Sequence, residues 1–277
     1  MSQTKIIIKN NIRIFLSDFQ ELSQQIIDYH DYLPLPNLIL ANAISAFAPL
    51  RFLYNSKKIL VKIKTNGAMQ MLLVEIQNQS LRALIANGKI ATEYDKKNFN
   101  KIPLILGIGD HGRLHVGRIV NNETFSSEVD LVKADLVTDL AYYLNQSDQT
   151  FSAIVNDVAL NEENPQKVFK AKNVLFQLLP DYTEDDVIWI ENFIKDYPLK
   201  NYSLEEYEKL IAGNYLETQT INGSCWCSKV KLINAINLLN DEEKKSLFSQ
   251  DNQTIESICD FCNQKYLIKQ EDLNNHD

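Results

Sequence analysis

Apolar and polar residues change rhythm along this chain, and each change predicts an element. Lys5-Ile-Ile-Ile-Lys9 and Ile12-Arg-Ile-Phe15 are short apolar runs of β-branched and aromatic residues, which predict strands. Asp18 stands where a helix cap belongs, and Phe19, Leu22, Ile26 and Ile27 follow at helical spacing toward about Asp31. From Asn37 to about Tyr54 the polar positions thin out, which predicts a mostly buried helix. Alternation returns over 58–64 and 69–76, two strands turning at Asn66-Gly67. Further strands are expected over 81–86, 103–108, 113–119 and 125–132. A helix then opens at Asp135 and carries Leu136, Leu140, Tyr143 and Leu144. Strands that cluster, with helices between and after them, predict an α+β fold with an N-terminal mixed sheet-and-helix domain.

Charge divides the 277 residues further, because the net charge of −8 is unevenly spread. Residues 1–180 balance at +2, residues 181–221 hold 3 Lys and 10 Asp/Glu for −7, and residues 222–277 carry −3. Three regions are expected: a body over 1–180, an acidic helical connector over 181–221, and a small C-terminal module over 222–277. In the connector, Val187, Ile188, Trp189, Ile190, Phe193 and Ile194, then Tyr207, Leu210, Ile211, Tyr215 and Leu216, recur at roughly helical spacing. Two readings stand: amphipathic helices packed on the body, or a marginal helical segment whose self-repelling charge lets it detach. With a pI near 5.1 and no Lys/Arg run, a nucleic-acid partner is not expected. The first residues lack the features of a signal peptide. The most apolar window, 33–50, is broken by Pro34, Pro36, Asn37, Asn42 and Pro49 and makes a poor membrane span. A cytoplasmic protein without a membrane partner is expected.

All four cysteines fall in one short window, as Cys225-Trp226-Cys227 and Cys259-Asp260-Phe261-Cys262. Two close pairs can supply four thiolates to the tetrahedral geometry that Zn²⁺ accepts, and a reducing cytosol favours a metal over standing disulfides. A tail this short has little core of its own, whereas a structural zinc site supplies on the order of 10 kcal/mol. A purely redox tetrad and unrelated buried cysteines are the alternatives. Metal-bound thiolates are also oxidant targets, so a zinc site of this kind can act as a switch. Ser228 is placed to cap a helix carrying Val230, Ile233, Ile236 and Leu239. Asn240 is placed to cap a second helix over 241–248, and strands over 254–258 and 265–268 flank the second pair.

The tail sequences Cys225-Trp226-Cys227-Ser228 and Cys259-Asp-Phe-Cys262-Asn-Gln-Lys-Tyr266, ending near Asp272-Leu273, resemble those of the 33 kDa heat-shock chaperones, the 33 kDa chaperonins. In the body, the runs at 66–75, 81–83, 139–149 and 174–180 are similar to that family in the same order. The resemblance implies an ATP-independent, redox-regulated holdase. The reduced form would hold one Zn²⁺ through Cys225, Cys227, Cys259 and Cys262 and be largely inactive. Oxidation would join Cys225 with Cys227 and Cys259 with Cys262, release zinc and unfold the tail and connector. The exposed apolar surface would bind unfolding client proteins, and the oxidised protein would form a homodimer. The chain departs from the family pattern at Asn55-Ser56 and 171–173, where glycines are usual. It departs also in Ser228-Lys229-Val230-Lys231, where no acid follows the first pair. Lys229 and Lys231 are placed to offset the net −2 of a Zn(Cys)₄ centre.

Enzymatic signatures are missing. There is no Gly-X-Ser-X-Gly, His-Glu-X-X-His or phosphate-binding glycine loop ending in Lys-Ser/Thr, and no catalytic residue is expected. Gly107-Ile-Gly109-Asp-His-Gly112 reads as a turn, with His111 and His115 at the surface. His276 lies near the tail cysteines, but four thiolates already complete a tetrahedral site. The rival functions are a structural zinc module, a zinc-ribbon nucleic-acid binder, and a thiol oxidoreductase using Cys259-X-X-Cys262.

Overall fold

A computed structural model gives the fold of residues 1–54, 56–93, 98–248 and 254–274, so Asn55 and His276 lie outside the described residues. The chain divides into two units, Met1–Ser224 and Cys225–Asp277. Together they are a mixture of sheet and helix, the α+β class that the clustered strand signals predict. No helix among the described residues is long and apolar enough to cross a membrane.

The first unit is built on β1 (Ser2–Lys9), β2 (Ile12–Asp18), β3 (Lys58–Thr65), β4 (Met71–Gln77) and β5 (Ser80–Ile85). It continues with β6 (Gly112–Val120), β7 (Glu123–Asp130), β8 (Ser152–Leu160), β9 (Val168–Leu178) and β10 (Asn214–Gly223). Their order across the sheet is β7-β6-β3-β4-β5-β10-β1-β2-β9-β8. Two antiparallel halves join where β10 meets β5 in parallel, through Asn222↔Ser80 and Gly223↔Leu81. In β3 and β4, Ile59, Val61, Ile63, Leu72, Val74 and Ile76 are buried and the residues between them are not, which gives the alternation of one covered face. β1 and β2 are covered on both faces: Ile6 and Phe15 enter one core, while Ile7, Ile12, Ile14 and Leu16 enter another. That double burial is why their sequences read as unbroken apolar runs.

Helices α1 (Gln20–Ile27), α2 (Pro34–Phe47), α3 (Leu50–Leu53), α4 (Ile105–Ile108) and α5 (Leu136–Ser147) contribute to the larger core. Thirteen of the 14 residues of α2 are buried, so it is enclosed all round instead of presenting one stripe. The single helix expected to about Tyr54 is two helices, broken at Ala48-Pro49. Proline has no N–H for the helical ladder, and its ring crowds the preceding turn. The expected strand over 103–108 is the short helix α4, ended by Gly109 at φ +80°. A short apolar run between Pro103 and that glycine has no periodicity to separate the two states. Gly67, in the β3–β4 turn, is held against this segment. A Cβ there would stand 2.3 Å from the Ile108 backbone, so no larger residue fits.

The acidic segment forms α6 (Glu184–Asp196) and α7 (Leu204–Ile211), then passes into β10, a strand where apolar spacing pointed to helix. Pairing with β1 from Ile8↔Asn214 to Ser2↔Ile221 supplies its backbone hydrogen bonds, and that long-range gain overrides local spacing. α6 and α7 lie on the second core. Ile190, Phe193, Tyr207 and Ile211 pack against Ile7, Ile12, Ile14, Leu16, Val174, Phe176 and Leu178. Phe193 stacks on Trp189 at 4.8 Å and meets Phe176 and Tyr207 edge-on at 6.1 and 5.1 Å. Polar ties fasten the margin. Lys5 Nζ is 2.7 Å from Glu208, and Lys172 Nζ donates to the carbonyls of Leu199 and Tyr202 at 3.2 and 2.7 Å.

Both helices begin with capping boxes, Thr183 with Asp186 and Ser203 with Glu206. The backbone N–H of Thr183 holds the Asp186 carboxyl below the usual carboxylate range, and that of Ser203 does the same for Glu206. A depressed folded value stabilises above the unfolded value and is lost as pH falls through the folded one. The connector is therefore expected to loosen below about pH 4. Trp189 emission, read in a Trp226→Phe background, should shift to the red in that range, and Asp186→Asn should remove part of the shift. Identical titrations of the two proteins would contradict this role for the caps.

The second unit contains α8 (Lys229–Asn237), α9 (Asp241–Leu247) and an antiparallel hairpin of β11 (Thr254–Ile258) and β12 (Lys265–Lys269). Ser228 Oγ accepts from the Lys231 N–H, and Asn240 shares a capping box with Glu243, so both helices start where their caps predict. Its buried core among the described residues is Ile233, Phe248 and Ile268. Three side chains, at about 1.5–3 kcal/mol each, fall far short of the ordering cost of some fifty residues.

Candidate metal centre

The two cysteine pairs reach one place from opposite ends of the second unit. Cys225 and Cys227 occupy the irregular stretch that leads into Ser228, the cap of α8. Cys259 and Cys262 form the turn of the β11–β12 hairpin. There the Cys259 N–H donates to the Gln264 carbonyl at 3.0 Å, and the Asn263 N–H to the Cys259 carbonyl at 2.8 Å. Asn263 takes φ +55°, a left-handed conformation that asparagine tolerates and that turns the chain back into β12.

All four Sγ atoms lie within 4.8 Å of one another. Cys225 Sγ is 3.7 Å from Cys259 Sγ, and Cys227 Sγ is 3.4 Å from Cys262 Sγ. These are not disulfide distances, which are near 2.05 Å. A tetrahedral site with Zn–S bonds of about 2.3 Å has S···S edges of about 3.8 Å. The donor set therefore fits one tetrahedral, thiophilic ion. Both of these contacts run between the pairs, so proximity in the reduced form does not single out the within-pair disulfides.

Hydrogen bonding within the cluster is uneven. Burial disfavours the Cys227 thiolate, but hydrogen bonds from Tyr266 and the neighbouring thiols outweigh it and bring this thiol down to about 7. Tyr266 Oη lies 3.1 Å from Cys227 Sγ, and its own ionisation is pushed up to about 12 by that bond. Burial raises Cys259 and Cys262, against backbone N–H donors at Phe261 and Gln264. Metal uptake at neutral pH must accordingly displace protons from at least the second pair.

The lysines placed to offset the centre's charge are otherwise engaged. Lys229 Nζ pairs with Asp272 at 2.6 Å, which supplies from the C-terminal turn the acid that does not follow the first pair in sequence. Lys231 Nζ donates to the carbonyl of Trp226, between the first two cysteines, at 2.6 Å. In the first unit, exposed His111 sits 2.7 Å from Asp110, and His115 is 3.8 Å from Glu128. Tyr266 is the contributor that spacing alone did not single out. Its placement follows from the hairpin, which pairs it with Ser257 and so fixes its backbone beside the second pair.

The chain is similar to known proteins over most of its length. A family model described as Hsp33 protein matches residues 2–269. The 33 kDa chaperonin of Acholeplasma laidlawii is 26% identical over 273 residues, covering 95% of this chain and 93% of its own. That of Bacillus subtilis is 27% identical over 256 residues, covering 88% and 86%. The crystal structure of a 33 kDa chaperonin from Thermotoga maritima superposes with a TM-score of 0.84. It covers 99% of this chain and 96% of its own at 23% identity, a likeness of fold. Matched along almost its whole length, the chain belongs to the Hsp33 family.

Proposed function

We propose that this chain is a cytoplasmic, ATP-independent holdase whose apolar surface is gated by a zinc-centred thiol switch. The observation that carries the reading is the gathering of four thiols in a unit whose buried core among the described residues is three side chains, which makes its fold depend on whatever the thiols hold. Cys225, Cys227, Cys259 and Cys262 are the ligands of one Zn²⁺, which supplies charge neutralisation and a tetrahedral crosslink. Peroxide is the oxidant. A thiolate attacks one peroxide oxygen, the O–O bond breaks, and a sulfenic acid forms; a neighbouring thiolate then displaces hydroxide from that sulfur. Each disulfide consumes two thiols and one peroxide and yields two waters. Two such steps, joining Cys225 with Cys227 and Cys259 with Cys262, remove all four donors.

Residues 181–221 are the releasable segment. β10 ends at Gly223, so the chain passes from the connector into the first cysteine pair almost at once. The packing of the connector has a weakness built in: the Tyr207 hydroxyl is buried with no hydrogen-bond partner, a cost of about 1–3 kcal/mol. The segment also carries −7 on itself. Its departure uncovers Ile7, Ile14, Leu16, Val174 and Phe176, a surface for unfolding clients or for a second copy of the chain in an oxidised homodimer. Neither nucleic acid nor membrane enters the proposal.

Hydrogen exchange tests it. Peroxide treatment should raise amide exchange in 184–223 and 225–269 together with zinc release, and peptide mapping should recover the two within-pair disulfides. Zinc release with exchange in 184–223 unchanged would separate the metal from the connector and contradict the gate.

A further inference from the structure

Three of the four sulfurs receive hydrogen bonds from donors of two kinds. Cys259 and Cys262 receive the backbone N–H groups of Phe261 and Gln264, which the hairpin turn supplies whatever side chains it carries. Cys227 receives a side-chain hydroxyl, Tyr266 Oη, at 3.1 Å. That phenol stands on β12, the strand that follows the second pair, and reaches across to a cysteine of the first pair. As a thiolate, Cys227 has no proton to give, so the phenol is the donor. A hydrogen bond to a thiolate withdraws charge from its lone pairs and fixes the direction in which the sulfur points. The first opposes attack on peroxide, and the second favours retention of a metal.

We infer that Tyr266 is a positioning residue of the thiol centre: through its hydroxyl it restrains Cys227 and sets the oxidant level at which that sulfur leaves the metal. The inference rests on the Cys₄ zinc reading. It deepens that reading by placing the sensitivity of the switch in one removable atom, with the backbone-held second pair as the constant part. The bond also couples the two pairs mechanically, because opening β12 withdraws the donor from Cys227.

The test compares Tyr266→Phe, which keeps the ring and loses the hydroxyl, with Tyr266→Leu, which loses both. Full-length protein is loaded with Co²⁺ for spectroscopy and with Zn²⁺ for release. In Tyr266→Phe the thiolate-to-cobalt charge-transfer band should move to lower energy, a change that lost packing alone would not produce. Metal should be held about 10-fold more weakly against a competing chelator, the lower end for the loss of a partner to a metal ligand. Zinc release in peroxide should quicken correspondingly. If Tyr266→Phe matches the unmodified protein in band position, affinity and release, and only Tyr266→Leu is impaired, the residue is packing and the inference is overturned. If the unmodified protein shows no thiolate-to-cobalt band, the Cys₄ reading itself fails and takes the inference with it.

Discussion

Cys259→Ser is expected to abolish stoichiometric zinc and leave the second unit unfolded under reducing conditions. The four thiols lie 3.4–4.8 Å apart, so each would be one of four ligands to the proposed ion. A serine hydroxyl at one corner is a poor ligand that stays protonated at neutral pH. Loss of an outer-sphere partner alone lowers metal affinity 10–100-fold, so loss of a ligand should exceed about 100-fold. The remaining core of Ile233, Phe248 and Ile268 cannot replace that free energy, because structural zinc supplies on the order of 10 kcal/mol. Metal analysis should find the protein nearly zinc-free. Amide protection should vanish across 225–269 and persist in β1–β9, whose larger core does not involve the cysteines. Zinc content equal to that of the unmodified protein, for this variant and for Cys262→Ser, would remove the Cys₄ assignment.

The second large effect is expected at Phe193. This ring is 5% exposed and touches Phe176 on the sheet and Trp189, Tyr197 and Tyr207 on the connector, which makes it the centre of the second core. Truncating such a ring costs about 3–5 kcal/mol. The connector already carries an unsatisfied Tyr207 hydroxyl and a balance of −7, so that loss should shift it toward the detached state without touching the thiols. Phe193→Ala is expected to keep its zinc while suppressing client aggregation in the reduced form. Raised exchange should be confined to 184–211. The helices on the opposite face hold the remainder through Phe15, Phe19, Phe47 and Leu175. A zinc-loaded Phe193→Ala protein that exchanges freely in the connector yet does not hold a client would show that the uncovered sheet face is not the client surface.

Much of this architecture is legible in local sequence, where one residue's role depends on near neighbours. Ser228 and Asn240 announce α8 and α9 because a cap acts within three residues. The alternation in β3 and β4 survives because one face is open. The two cysteine pairs mark where four sulfurs meet. What escapes depends on distant partners. β8 and β9 carry Asn156, Asp157, Lys170, Lys172 and Asn173 among their apolar residues, which obscures the strand pattern. Those charges are satisfied within the fold, with Asp157 pairing to Lys170 and Lys172 at 2.7 and 3.0 Å. β10 is a strand because β1, some two hundred residues earlier, offers it an edge. The bond from Tyr266 to Cys227 likewise joins positions 39 residues apart, and no spacing rule foretells it.

The measurement that reaches the centre of the proposal is client light scattering with zinc release followed in the same cuvette. A thermally unfolding client is mixed with the protein, either reduced and zinc-loaded or treated with peroxide at elevated temperature, and a chromogenic chelator reports the metal. A zinc-gated holdase suppresses scattering only after oxidation, and in step with the appearance of free zinc. Scattering that is the same in both states, with zinc still bound after peroxide, would make the metal a structural staple and contradict the switch.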